Sequence, residues 1–168
     1  MLVIGESAAA AQWQLGRYAR KTNPVLSKRT DIIWLQNYAA PAVATAASVP
    51  IMLTRKPVLQ GNDTAWPERS IVNTYREAGF ETHWISNQLT AGMHDLMIST
   101  FAQEAEFVRW VSLGGYQHAS ALDEHLLPHL DAALNTGAPK QSFVLHTMGS
   151  HFRYTDRIPN TARHFSAR

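Results

Sequence analysis

Three short apolar segments constrain this chain more than any other feature: Leu2-Val-Ile4, Phe80-Glu-Thr-His-Trp-Ile85 and Gln141-Ser-Phe-Val-Leu-His-Thr147. Each is rich in β-branched or aromatic residues, and the second alternates, as strands do. Helical patterns lie between them. Strands alternating with helices make βαβ units, so the expected fold is α/β, with a mainly parallel sheet covered by helices on both faces. Ligand sites in such sheets lie at the carboxyl ends of the strands. Four polar clusters fall at those ends or in the loops leading from them: Glu6, the loop carrying Thr45, Asn87-Gln88 and His151.

The remaining elements follow from local pattern. Ala8 to Leu15 reads as a helical turn or two, and Gly16 to Pro24 as a polar loop, with Pro24 opening a short helix through Leu26. Asp31-Ile-Ile-Trp-Leu-Gln-Asn-Tyr38 is a further strand candidate, bounded by Pro41. A helix is expected from Thr45 to about Leu53, then a surface loop over 55–67. Glu68 to Ala78 reads as an amphipathic helix with Ile71, Val72 and Tyr75 inward and Gly79 ending it. Within 93–113 the pattern is weak, and Phe101 to Val111 reads as helix with Phe107 and Trp110 packing. Leu122, Leu126, Leu130 and Leu134 recur every four residues, which predicts a helix over Ala119 to Asn135, kinked or broken at Pro128 and ended by Gly137. No periodicity runs from Phe152 to Arg168.

Composition narrows the function classes. A chain of 168 residues suffices for one domain with a real core. Its net charge is only +2, with no dense basic cluster, which argues against tracking nucleic-acid phosphates. The absence of cysteine excludes disulfides and thiolate metal sites. The apolar runs are too short to span a bilayer, and no signal peptide precedes the first strand. The expectation is a cytoplasmic protein or an excised part of a larger one.

Thr45 has two readings on local chemistry. It stands before an alanine-rich helix, so its hydroxyl suits an N-cap. The same place, where unsatisfied N–H groups and the macrodipole favour negative charge, also suits a nucleophile whose developing alkoxide needs stabilising. Glu6 is likewise open between a solvated turn residue and a ligand-facing carboxylate.

Val3-Ile-Gly-Glu-Ser7, Tyr18-Ala-Arg20, Thr22-Asn-Pro24 and Thr45-Ala-Ala-Ser-Val-Pro50 together resemble the phosphoethanolamine transferases of the alkaline phosphatase/sulfatase superfamily. Trp84-Ile-Ser-Asn-Gln88 and His146-Thr-Met-Gly-Ser-His151 continue the match in the same order. The resemblance implies an alkaline phosphatase/sulfatase-like sheet and a zinc-dependent transferase. Such an enzyme moves phosphoethanolamine from phosphatidylethanolamine to lipopolysaccharide through a covalent threonine intermediate, at the periplasmic face of the bacterial inner membrane. It implies Glu6 as a zinc carboxylate and Thr45 as the zinc-contacting nucleophile. Asn87, Gln88 and His151 match positions lining the phosphate and head-group pocket, and His146 stands between pocket wall and core. The chemistry coheres, because a metal lowers the pKa of a hydroxyl and neutralises charge on a transferring phosphoryl group.

The sequence departs from the family pattern in three places. Catalytic zinc takes at least three protein ligands, yet only Glu6 and Thr45 stand in the family's positions. No Asp-His-Gly occurs, and Met93-His-Asp95 has the wrong order and place. The family's membrane anchor, normally upstream, is missing, and Pro41 and Ile51 stand where lipid A-modifying members carry a cysteine pair. Residues 1–168 therefore read as a single, partial catalytic domain, inactive or nearly so alone. Rival readings are a phosphoglycerol transferase or sulfatase of the same superfamily, and a truncated module without catalysis. Thr45-Ala46-Ala47 lacks the Cys/Ser-x-Pro-x-Arg setting of sulfatases. Of the remaining histidines, His125 and His129 have i, i+4 spacing, but Pro128 interrupts that pair; these and His83, His94, His118 and His164 read as surface or packing residues.

Overall fold

The computed structural model describes residues 1–58, 67–89, 96–112, 122–152 and 154–162. Most of the expected 55–67 loop, the Met93-His-Asp95 segment, His94, His118, His164 and the start of the helix expected at Ala119 lie outside the described residues.

Among the described residues, four strands form one sheet: β1 (Leu2–Ile4), β2 (Glu81–Ser86), β3 (Phe107–Trp110) and β4 (Gln141–His146). Their spatial order is β1-β4-β2-β3, and all neighbours are parallel. The helices are α1 (Thr45–Leu53), α2 (Ile71–Glu77), α3 (Leu96–Ala102) and α4 (Leu127–Leu134), with short 3₁₀ turns between.

Side chains of a strand alternate between faces, and here both faces are apolar. On one, Ile4, Trp84 and Val144 pack with Val49 and Leu53 of α1, Val72 of α2, and Ile98 and Ala102 of α3. On the other, Ile85, Phe143 and Leu145 pack with Leu126, Leu130 and Ala133. The sheet is thus covered by helices on both faces, as the alternation of strands and helices predicts. Trp84 is fully buried at its centre, where truncation to alanine costs on the order of 3–5 kcal/mol.

Register defines the functional edge. His146 pairs with Ile4 on one side and Ser86 on the other, so β1, β4 and β2 end level with one another. Thr147 N–H donates to Ile4 C=O at 3.0 Å and Asn87 N–H to His146 C=O at 2.9 Å, carrying the ladder one residue into the loops.

Several elements differ from expectation. Residues 31–38 form no strand, and Ile33, Leu35 and Tyr38 are exposed; alternation marks two faces, but no strand among the described residues pairs with this segment. Phe101 to Val111 is not a helix: α3 ends at Ala102 and β3 begins at Phe107. Ile71 and Tyr75 of α2 are exposed, and Val72 with Asn73 carries the buried face. Pro128 marks a break and not a kink, because a 3₁₀ turn over Asp123–Leu126 precedes it and Pro128 lies in the first turn of α4, where its missing N–H costs nothing. Gly79 ends α2 at φ +79, as a C′ residue does, whereas Gly137, at φ +80, lies two residues beyond the α4 cap at Asn135.

Candidate active site

β1 delivers Glu6 to the carboxyl edge through Gly5, and Ser7 turns the chain with φ 52. Thr45 is the first residue of α1. Its cap position is Ala44, and no side chain caps the helix. The N-cap reading of Thr45 is therefore overturned by the geometry: the hydroxyl does not fold back onto the helix but donates to Glu6 Oε2 at 2.6 Å. Ser7 Oγ donates to the other carboxylate oxygen, Oε1, at 2.7 Å. Two hydroxyls thus hold both oxygens of one carboxylate, and the chain segments that meet there are 39 residues apart.

Ala44 C=O accepts the N–H groups of Ala47 and Ser48. The N–H groups of Thr45 and Ala46 lie in the first turn, where the helix offers no acceptor and its dipole is positive. A cleft of about 780 Å³ lies in front, walled by Ile4 to Ala9 on one side and Ala40 to Thr45 on the other.

The other expected site residues gather around the end of β4. His146 is completely buried, edge-on to Trp84 at 5.9 Å. Neither of its ring nitrogens has a hydrogen-bond partner among the described residues. Burial pushes its pKa down to about 4, against the opposing pull of the Glu6 and Asp123 carboxylates. Asn87 is also fully buried and donates through Nδ2 to Asp123 Oδ1 at 2.8 Å. Gln88 Nε2 donates to Thr147 C=O at 2.6 Å. His151 is half-buried, and its N–H donates to Met148 C=O. The geometry thus joins Glu6 directly to Thr45, and ties Asn87 and Gln88 into the loop between His146 and His151.

Two residues in this arrangement escaped the sequence reading. Asp123 accepts from Asn87 and from the N–H groups of Met148 and Gly149, each at 2.8 Å. Its local signal, an acidic residue opening a helical turn, looks like routine dipole matching; its true partners are 25 and 26 residues away. Gly149, at φ +51, lies against the Glu6 backbone and holds the β4 loop to the β1 loop.

The sequence profile of the sulfatase family matches residues 1–168. The chain belongs to the sulfatase family. YhbX of Escherichia coli (strain K12) is 33% identical over 167 residues, covering 98% of this chain and 29% of that protein. Phosphoethanolamine transferase EptC of the same strain is 28% identical over 173 residues, again covering 98% and 29%. Among solved structures, the C-terminal periplasmic domain of Escherichia coli EptC in complex with Zn superposes with a TM-score of 0.81 at 28% identity, over 95% of this chain and 46% of that one. The soluble domain of lipooligosaccharide phosphoethanolamine transferase A from Neisseria meningitidis gives a TM-score of 0.81 at 27% identity, over 99% and 49%. This sulfatase-family chain therefore spans less than a third of these two curated relatives and about half of the two solved domains. Among its described residues, no helix is long and apolar enough to cross a membrane.

Proposed function

We propose that this chain is the Thr45-bearing part of a phosphoethanolamine transferase catalytic domain. The observation that carries the reading is the 2.6 Å hydrogen bond from Thr45 Oγ1 to Glu6 Oε2, at the start of a helix. Named relatives that transfer phosphoethanolamine support it. The donor fits phosphatidylethanolamine and the acceptor lipopolysaccharide, at the periplasmic face of the inner membrane, with an anchor supplied from outside these residues.

Each chain group has a task. Glu6 holds the Thr45 hydroxyl hydrogen, which fixes the rotamer and turns an oxygen lone pair toward the cleft. In the first half-reaction Thr45 Oγ1 bonds to phosphorus while the bond to the diacylglycerol oxygen breaks, and the hydroxyl proton leaves with the alcohol. In the second, an acceptor hydroxyl takes the phosphoethanolamine from Thr45 and a proton returns to Oγ1. The N–H groups of Thr45 and Ala46 face the phosphoryl oxygens and offset their charge. On the head-group side, buried Asn87, Gln88 and His146 would support the β4 loop that carries His151, with Asp123 setting the position of Asn87.

The donor chemistry also fits part of a zinc site. Glu6 and Thr45 would hold the ion, but no group of three or more acidic or histidine side chains that could hold a metal occurs among the described residues. Bound zinc would lower the Thr45 hydroxyl pKa and neutralise phosphoryl charge.

The test uses the longest available form of the gene product, incubated with phosphatidylethanolamine and analysed by intact mass. A Thr45 adduct of phosphoethanolamine that disappears in Thr45→Ala is the expected result. An adduct on another residue, or none in the longest form, overturns the reading.

A further inference from the structure

Glu6 is held unevenly along its length. Its backbone is fixed by the loop after β4: Ser150 N–H donates to Glu6 C=O at 2.9 Å, and Gly149 lies so close that a Cβ there would stand 3.2 Å from Glu6 Cβ. The carboxylate is a separate matter. The last torsion of a glutamate is broad and two-fold, so nothing intrinsic decides which oxygen faces Thr45 or how the carboxylate plane lies. Ser7 provides that constraint, because its Oγ donates to Oε1 at 2.7 Å and leaves Oε2 to the Thr45 hydroxyl at 2.6 Å.

The Ser7 backbone is strained in making this contact. Its φ of 52 lies in the left-handed region, which disfavours a side chain and suits glycine. Two non-glycine residues adopt positive φ among the described residues, Ser7 and Arg17, and of these Ser7 lines the Thr45 cleft. Such strain persists where the surrounding structure over-determines it, and it gathers at functional sites. Glycine at this position would relieve the backbone, but it has no hydroxyl to give to Glu6.

We propose that Ser7 is a positioning residue for the transfer: acting through Glu6, its hydroxyl fixes the carboxylate plane and with it the rotamer of Thr45. The proposal rests on the transferase reading above. No bond forms or breaks at Ser7, and its hydroxyl hydrogen stays in place throughout. The test reads the Thr45 side chain directly, by NMR on the full chain without donor lipid. Three-bond couplings from the Thr45 methyl carbon to the backbone nitrogen and carbonyl carbon report χ1, with Thr45→Ala identifying the signal. Single-rotamer couplings are expected in the parent, and averaged ones in Ser7→Ala, Ser7→Gly and Glu6→Gln. Ser7→Gly separates positioning from structure: with the left-handed strain relieved, its urea midpoint should hold or rise while the fixed Thr45 rotamer is lost. In the longest form of the gene product, Ser7→Ala and Ser7→Gly should form the Thr45 adduct about tenfold more slowly. Parent-like couplings or a parent-like adduct rate in Ser7→Gly overturn the proposal, and so do averaged couplings in the parent. A midpoint that falls in Ser7→Gly together with the couplings makes Ser7 a structural residue and overturns it too. Absence of any adduct in the parent, with the couplings changed as expected, counts against the transferase reading and leaves the hold of Ser7 on Thr45 standing.

Discussion

Gly149 lies flush against Glu6: a Cβ at Gly149 would stand 2.6 Å from the Glu6 carbonyl oxygen and 2.9 Å from its amide nitrogen. Both contacts are backbone, so neither can swing aside. With φ at +51 as well, Gly149→Ala should cost about 2 kcal/mol or more. It should also separate Glu6 from Thr45. The urea midpoint should fall, and the Thr45 methyl resonance should shift; an unchanged midpoint would show that the two loops are not in contact in solution.

Asp123 is a hub for three donors. Asp123→Asn turns one acceptor oxygen into a donor facing an N–H, which should cost about 2 kcal/mol. Asn87→Ala removes a single arm of the hub. A double-mutant cycle in urea should return a coupling of about 1 kcal/mol or more between the two positions. Additive effects would break the proposed positioning of Asn87 by Asp123.

His146 should make the metal-free chain acid-sensitive. Its folded pKa, about 4, lies below the ordinary 6.5 because burial disfavours the charged ring. The unfolded state therefore binds the extra proton first, so stability is full above pH 6.5 and declines as pH falls toward 4. The linkage amounts to about 3 kcal/mol. His146→Phe should flatten this part of the profile when urea midpoints are compared at pH 7.5 and pH 5. A variant as acid-sensitive as the parent would assign the effect elsewhere.

Ser70 is fully buried and works in both directions. Its Oγ accepts from Val72 N–H at 3.1 Å, capping α2, and donates to Glu104 Oε2 at 2.5 Å. Glu104 also takes the Ser70 N–H at 2.8 Å. Ser70→Ala strips a cap and leaves a carboxylate short of a donor, so about 2 kcal/mol should be lost. Thermal melts resolve such a change easily.

Zinc binding by this chain alone should be weak, because on the proposed reading Glu6 and Thr45 would provide only two of the three or more protein ligands that a catalytic ion takes. Calorimetric titration of zinc should show no tight stoichiometric step. A tight step abolished by Glu6→Gln would mean that the full donor set lies within this chain.

The layered sheet was legible because β1, β2 and β4 carry their own evidence: in β2, Trp84 and Ile85 point to opposite faces and both are apolar. The stretch 31–38 shows the limit of that logic. Ile33 and Leu35 alternate like a strand, yet pairing depends on a neighbour that local pattern does not encode. Phe107 and Trp110 misled for a related reason, since an aromatic pair three residues apart suits a helix face as well as a strand edge. Glu6 and Thr45 were legible by resemblance to a family. Their direct bond, and the partnership of Asp123 with Met148 and Gly149, depend on long-range packing and leave no periodic trace.

The strand order has a consequence for biosynthesis. β1 precedes the other three described strands, but its only sheet neighbour among the described residues is β4, the last of these four; Thr147 Oγ1 reaches Ile4 C=O across 143 residues. At ribosomal speeds, Leu2, Val3 and Ile4 wait on the order of ten seconds for that neighbour to emerge. Meanwhile β2 and β3 can already pair locally. Glu6 therefore takes its place beside Thr45 only after β4 has been made, later than the β2–β3 pairing requires.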